Sequence, residues 1–202
     1  MSYLRRMVLL GLDLGQQQDY SVLTAFETYE ENKIFHYNLI GMGRFPLKTT
    51  LPFTASCVKN LVQTSPYLRD AVLVVDCTGV GRPVVDLFRE HEINIIAVTI
   101  AAGNKAHWGK NMEVTVPKKE LVSSLLVVLT TRRIHIAQDI KDIDLLTKEL
   151  LNFKFTGATR TTYKFGATGG YHDDIVMSMS MPIWYGEYLT RSKPKLRIIT
   201  GG

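Results

Sequence analysis

The chain has 202 residues, a formal net charge of +5 and an isoelectric point near 9.2, with 46% hydrophobic and 21% charged residues. That length favours one sizeable domain, and the composition excludes a disordered polar chain. The basic balance suits a polyanionic partner without demonstrating one, and Cys57 and Cys77 are too few for a disulfide scaffold.

Met7 to Gly15, Met-Val-Leu-Leu-Gly-Leu-Asp-Leu-Gly, reads as a buried strand with one carboxylate, Asp13, near its end. Arg5 and Arg6 before this run faintly resemble a signal peptide. Asp13 interrupts the run early and no small-residue cleavage site follows, so a secreted protein is not expected. No segment is long and apolar enough to span a membrane. Ser21–Tyr29 and Lys33–Met42 read as two more strands. The connections between these first three strands are too short for crossover helices, so they form an antiparallel meander. Thr49 or Thr50 is placed to cap a helix ending near Thr64, with Pro52 in its first turns.

Ala71–Asp76 is a fourth strand, rich enough in Val and Leu to be buried on both faces. A helix to about His91 and a fifth strand, Asn94–Ile100, complete the strand-helix-strand alternation of an α/β fold. Ala101–Pro117 reads as a long basic and aromatic loop, Lys118–Thr131 as an amphipathic helix and Ile134–Ala137 as a short strand. Asp142–Leu151 is a further helix. Phe153–Thr156 and Thr161–Phe165 suit a hairpin, and Asp173 to about Leu189 is a last helix containing Pro182. Arg191–Gly202 is a basic tail, so the expected division is a domain over 1–190 and a tail over 191–202.

Three acidic positions stand out: Asp13, Asp76 and the His172-Asp173-Asp174 stretch, each at the edge of an apolar element. Taken singly, each is usually a turn or capping residue. Taken together they suggest more. Parallel strands present their carboxyl ends to a common crevice. If the first and fourth strands are neighbours, Asp13 and Asp76 lie side by side, and a hard divalent cation relieves their repulsion. Asp173 and Asp174, with His172 as a further candidate, would add ligands. Lys105, His107 and Lys110 in the loop, and Lys154, Arg160 and Lys164 around the hairpin, are candidates for contacts to nucleic-acid phosphates. Gly79-Val80-Gly81 lacks the remaining glycine of a dinucleotide fingerprint, and no P-loop occurs.

Gly-Leu-Asp-Leu-Gly, Val-Val-Asp-Cys-Thr-Gly-Val-Gly, Val116-Pro117-Lys118-Lys119-Glu120-Leu121-Val122, Arg133-Ile134-His135-Ile136 and Gly-Tyr-His-Asp-Asp-Ile-Val follow one another along most of the chain. In that order they resemble the nuclease domain of the large terminase subunit of tailed bacteriophages, a ribonuclease-H-like fold. The resemblance implies an antiparallel meander leading into a mixed five-stranded sheet flanked by helices, with the hairpin added. It implies a metal-dependent endonuclease that cuts double-stranded DNA with two Mg²⁺ or Mn²⁺ ions during genome packaging. Asp13, Asp76, Asp173, Asp174 and His172 would be its ligands. It further implies the portal protein, the small terminase subunit and a motor ATPase domain, absent from this sequence, as partners in the cytoplasm of the infected host. Other readings are a Holliday-junction-resolvase-like nuclease, a fragment of an actin- or sugar-kinase-like ATPase sharing Gly-Leu-Asp-Leu-Gly, and a non-catalytic docking module.

Overall fold

The computed structural model describes residues 6–15, 19–80, 82–158, 163–167 and 173–191. The meander is present as β1 (Arg6–Asp13), β2 (Val22–Glu31) and β3 (Ile34–Arg44). The chain continues through α1 (Leu51–Thr64), β4 (Val72–Asp76), α2 (Arg82–Glu90) and β5 (Asn94–Ala101). Then come β6 (His107–Trp108), β7 (Glu113–Pro117), α3 (Lys118–Thr130) and β8 (Ile134–Ile136). The last elements are α4 (Ile143–Asn152), β9 (Phe153–Ala158), β10 (Tyr163–Ala167) and α5 (Asp174–Arg191).

The main sheet has the order β6-β7-β5-β4-β1-β2-β3-β8. The five strands expected of a ribonuclease-H-like sheet are contiguous at its centre, and the sheet extends beyond them at both edges. β1 pairs antiparallel with β2 and parallel with β4, and β5 lies parallel to β4. The stretch expected as one loop over 101–117 instead contributes β7, parallel to β5, and β6, antiparallel to β7. Its alternation explains the difference: Val114 and Val116 are buried while Thr115 between them is exposed, the period of a half-buried strand. Thr50 occupies the N-cap of α1, but its side chain makes no capping bond. β9 and β10 form the expected hairpin, pairing antiparallel as a separate two-stranded sheet.

Period two sorts β1 between two cores. Val8, Leu10 and Leu12 pack with Val58, Val84 and Phe88 of α1 and α2. Leu9 faces the other way, into a core built from α3, α4 and α5. Gly11 shares that second face, and α5 lies directly on it: a Cβ there would fall 1.9 Å from the Ser178 carbonyl oxygen. Pro182 has no N–H to offer that carbonyl, four residues before it in the helix. Thr24 of β2 supplies the donor, its Oγ1 lying 3.1 Å from Ser178 O, while Ser178 Oγ donates to Gly11 O at 2.9 Å. The middle of α5 is thereby fixed over β1 and β2.

Candidate metal centre

Asp13 is two residues beyond Gly11, so it points to the α5 face of the sheet. Asp76 is two beyond Val74, which lies in the same core as Leu9. The register of β1 on β4 ends with Leu12 beside Val75, so the two aspartates follow on adjacent parallel strands at their carboxyl ends. α5 begins above them, with Asp174 as its first residue and the Asp173 carbonyl accepting from Met177 N at 2.9 Å. The fold thus brings Asp13, Asp76, Asp173 and Asp174 to one end of the sheet.

Their electrostatics are those of a carboxylate cluster. Burial holds the Asp13 carboxyl well above the usual range, and the charges of Asp76, Asp174 and Asp173 push it further, in that order; Lys118 opposes them. Asp76 is also raised, chiefly by burial, while hydrogen bonds from Thr78 and the charge of Lys118 pull the other way. Asp76 Oδ1 accepts from Thr78 N at 2.7 Å, so the aspartate does form a turn. A carboxylate has two oxygens, and this bond leaves it ligand capacity.

Two cations engage the α5 carboxylates. Lys118 Nζ donates to Asp173 Oδ2 at 2.8 Å, and Arg44 lies 3.7 Å from Asp174 Oδ2. Arg44 is itself stacked on the Tyr20 ring, 3.7 Å from its centroid. Behind them Glu149, on α4, accepts from Ile175 N at 3.0 Å and so caps the first turn of α5. Among the described residues no three Asp, Glu, His or Cys side chains already converge as a finished cage for an ion. The donor set itself, four hard carboxylates of which Asp76, Asp173 and Asp174 all act electrostatically on Asp13, has the chemistry that Mg²⁺ or Mn²⁺ requires.

Lys118, Arg44, Tyr20 and Glu149 were not among the candidates read from the sequence. Glu149 had a signal there: it falls three residues after Leu146, on the buried stripe of its helix. Of the basic candidates, Lys105, His107 and Lys110 are exposed. Lys105 lies on the segment just beyond β5, where Ala106 N donates to Glu120 Oε2 at 2.9 Å, close in sequence to Lys118. Lys110 lies at the opposite end of β7, next to Glu113, whose N–H its carbonyl accepts at 3.1 Å. Trp108 between them packs against Trp184 and Tyr188. His172 and Arg160 lie outside the described residues, as do the side chains of Lys154 and Lys164. Cys77 is buried, and burial pushes its thiol up to about 12, which suits a packing residue.

No family model matches the chain. It is 24% identical over 179 residues, 89% of its length, to the large terminase subunit of Thermus virus P23-45, and it spans 31% of that relative's length. The large terminase nuclease of thermophilic phage G20c, crystallised with bound magnesium, superposes with a TM-score of 0.62 at 22% identity, over 88% of this chain and 80% of that one. The human cytomegalovirus terminase nuclease domain, soaked with Mn and bound to an inhibitor, superposes at 0.58 and 14% identity, over 94% and 85%. The nuclease domain of the bacteriophage SPP1 large terminase, with bound Mn, does so at 0.54 and 13%, over 87% and 84%. The resemblance read from the motifs thus extends to the backbone, and the chain has the fold of the large terminase nuclease domains.

Proposed function

We propose that this chain is a metal-dependent endonuclease that hydrolyses double-stranded DNA, the nuclease part of a large terminase subunit acting in viral genome packaging. The observation that carries the reading is the placement of Asp13 and Asp76, at the ends of adjacent parallel strands, within electrostatic reach of the aspartates at the start of α5. Asp13 and Asp76 project from strands fixed in the sheet and form the rigid half of the site. Asp173 and Asp174, at the start of α5, supply the other half. His172 remains a candidate beside them. Bound Mg²⁺ or Mn²⁺ supplies the Lewis-acid chemistry of an in-line phosphodiester hydrolysis. Lys105 and His107, with Lys110, Lys154, Arg160 and Lys164, hold the DNA backbone and read little sequence. The partners that go with this role are the motor ATPase domain, the portal protein and the small terminase subunit, in the cytoplasm of the infected host. The relatives with bound magnesium or Mn support the choice of metal.

The test is incubation of supercoiled plasmid with the protein in EDTA, Mg²⁺ or Mn²⁺, beside Asp76→Asn. Nicking and linearisation that need the metal, and that fall by at least about a hundredfold in the variant, are expected. Cleavage that persists in EDTA, or that Asp76→Asn leaves intact, refutes the assignment.

A further inference from the structure

Lys118 opens α3 immediately after β7, at the end of the sheet that carries Asp13 and Asp76. Its ammonium is hydrogen bonded to Asp173 at 2.8 Å, and its charge acts on Asp13 and Asp76 as well. It therefore stands among the carboxylates that the nuclease reading assigns to the metal. Arg44 offers an instructive contrast. It is held against the Tyr20 ring, and its side chain is 18% exposed. Lys118 is 36% exposed, on a flexible four-carbon stem. One cation is stacked and mostly covered, and the other is the more exposed and is held by Asp173.

A divalent cation at Asp173 and an ammonium on the same carboxylate repel each other and compete for the same oxygens. An ammonium released from Asp173 at that position has one obvious new acceptor in a nuclease, a phosphate oxygen of the bound strand, which it binds as a compact point charge. Resting on the nuclease reading, we infer that Lys118 is a further catalytic residue. It neutralises the carboxylates of the metal-free protein through Asp173 and passes to the DNA phosphate when a divalent cation takes that aspartate.

The inference makes two quantities move in opposite directions. Loss of the competing charge in Lys118→Gln is expected to tighten Mn²⁺ binding, measured by calorimetry without DNA, by about fivefold to tenfold. Loss of the phosphate contact is expected to lower kcat for plasmid cleavage at saturating Mn²⁺ by about a hundredfold. Lys118→Arg keeps the charge and is expected to retain the wild-type Mn²⁺ affinity with part of the activity. Lys118→Met, which preserves the apolar stem, serves the same test if the glutamine variant does not fold. Unchanged Mn²⁺ affinity or unchanged kcat on removal of the charge overturns the inference. A wild type that binds Mn²⁺ and cuts DNA, beside a Lys118→Gln protein indistinguishable from it, overturns this inference alone. A wild type that neither binds Mn²⁺ nor cuts overturns the nuclease reading, and this inference with it.

Discussion

Glu149 belongs to α4 and serves α5. Its carboxylate accepts from Ile175 N, so a helix whose first residue is a proposed metal ligand is capped from outside. Burial pushes Glu149 up to about 7, Asp174 adds to the rise, and Arg44 and the backbone N–H groups of α5 oppose it. Because the folded pKa lies above the ordinary value of about 4.5, the group's contribution to stability is full below that value and is lost as the pH rises through about 7. Thermal unfolding in EDTA is therefore expected to show a melting temperature that falls between about pH 5 and pH 8. Glu149→Gln keeps an acceptor without the charge and is expected to flatten that fall, leaving the part due to Asp13, whose raised pKa has the same sign. Glu149→Ala removes the cap and the titrating group together, so it is expected to cost about 1 kcal/mol near pH 5 and progressively less as the pH rises through about 7. A glutamine variant with the full wild-type slope would show that Glu149 is not the titrating group. Such residues explain how far the site was legible. Asp13 and Asp76 each end an apolar run, where a carboxylate is conspicuous. Glu149, Lys118 and Arg44 act on α5 from distant segments, and nothing local in the sequence announces that they meet there.

At the scale of elements, the geometry of the site depends on how closely α5 lies on β1. Gly11 permits that approach, and Thr24 makes it tolerable to the backbone by donating to the carbonyl that Pro182 leaves unpaired. Thr24→Val preserves the shape and removes the donor. It is expected to destabilise the fold by about 1–3 kcal/mol, the cost of a buried unsatisfied carbonyl, measured by denaturant unfolding. Gly11→Ala would place a methyl group within 1.9 Å of Ser178 O and 2.7 Å of Pro182 Cδ, so α5 must move. That variant is expected to lose most cleavage even at temperatures where it stays folded, because the Asp173–Asp174 pair moves with the helix. Wild-type cleavage by a folded Gly11→Ala protein would show that the contact is structural only. The glycine was readable as part of a motif, but its reason was not, because the atom it must avoid is 167 residues away. The reverse happened with β7. Glu-Val-Thr-Val-Pro carries its own alternation, yet five residues among basic and polar neighbours pass for loop until an edge strand is there to pair with them.

Across the whole molecule α5 is the spine, placed by contacts at both of its ends. The end near the acidic cluster is held by Glu149 and the sheet. The far end is held by a buried ion pair: Arg133 donates to both Glu187 oxygens, at 2.6 and 3.1 Å, and to Phe35 O at 2.9 Å. Tyr37 adds a hydrogen bond to Glu187 Oε1 at 2.9 Å, with Gly186 leaving room for its ring. Arg133 sits just before β8 and Glu187 near the end of α5, so the pair ties an edge strand, β3 and the last helix together. Removing one partner leaves the other charge buried and unpaired. Arg133→Met is therefore expected to destabilise by about 3–5 kcal/mol, while Arg133→Met with Glu187→Leu recovers much of the loss. The pair lies at the opposite end of α5 from Asp173 and Asp174, so the double variant is expected to cleave plasmid at near the wild-type rate below its own melting temperature. Denaturant unfolding and cleavage, measured on the same preparations, separate the two effects. A double variant as stable as wild type but inactive would mean that the ion pair sets the position of the proposed metal ligands through the length of the helix, and not merely the stability of the fold.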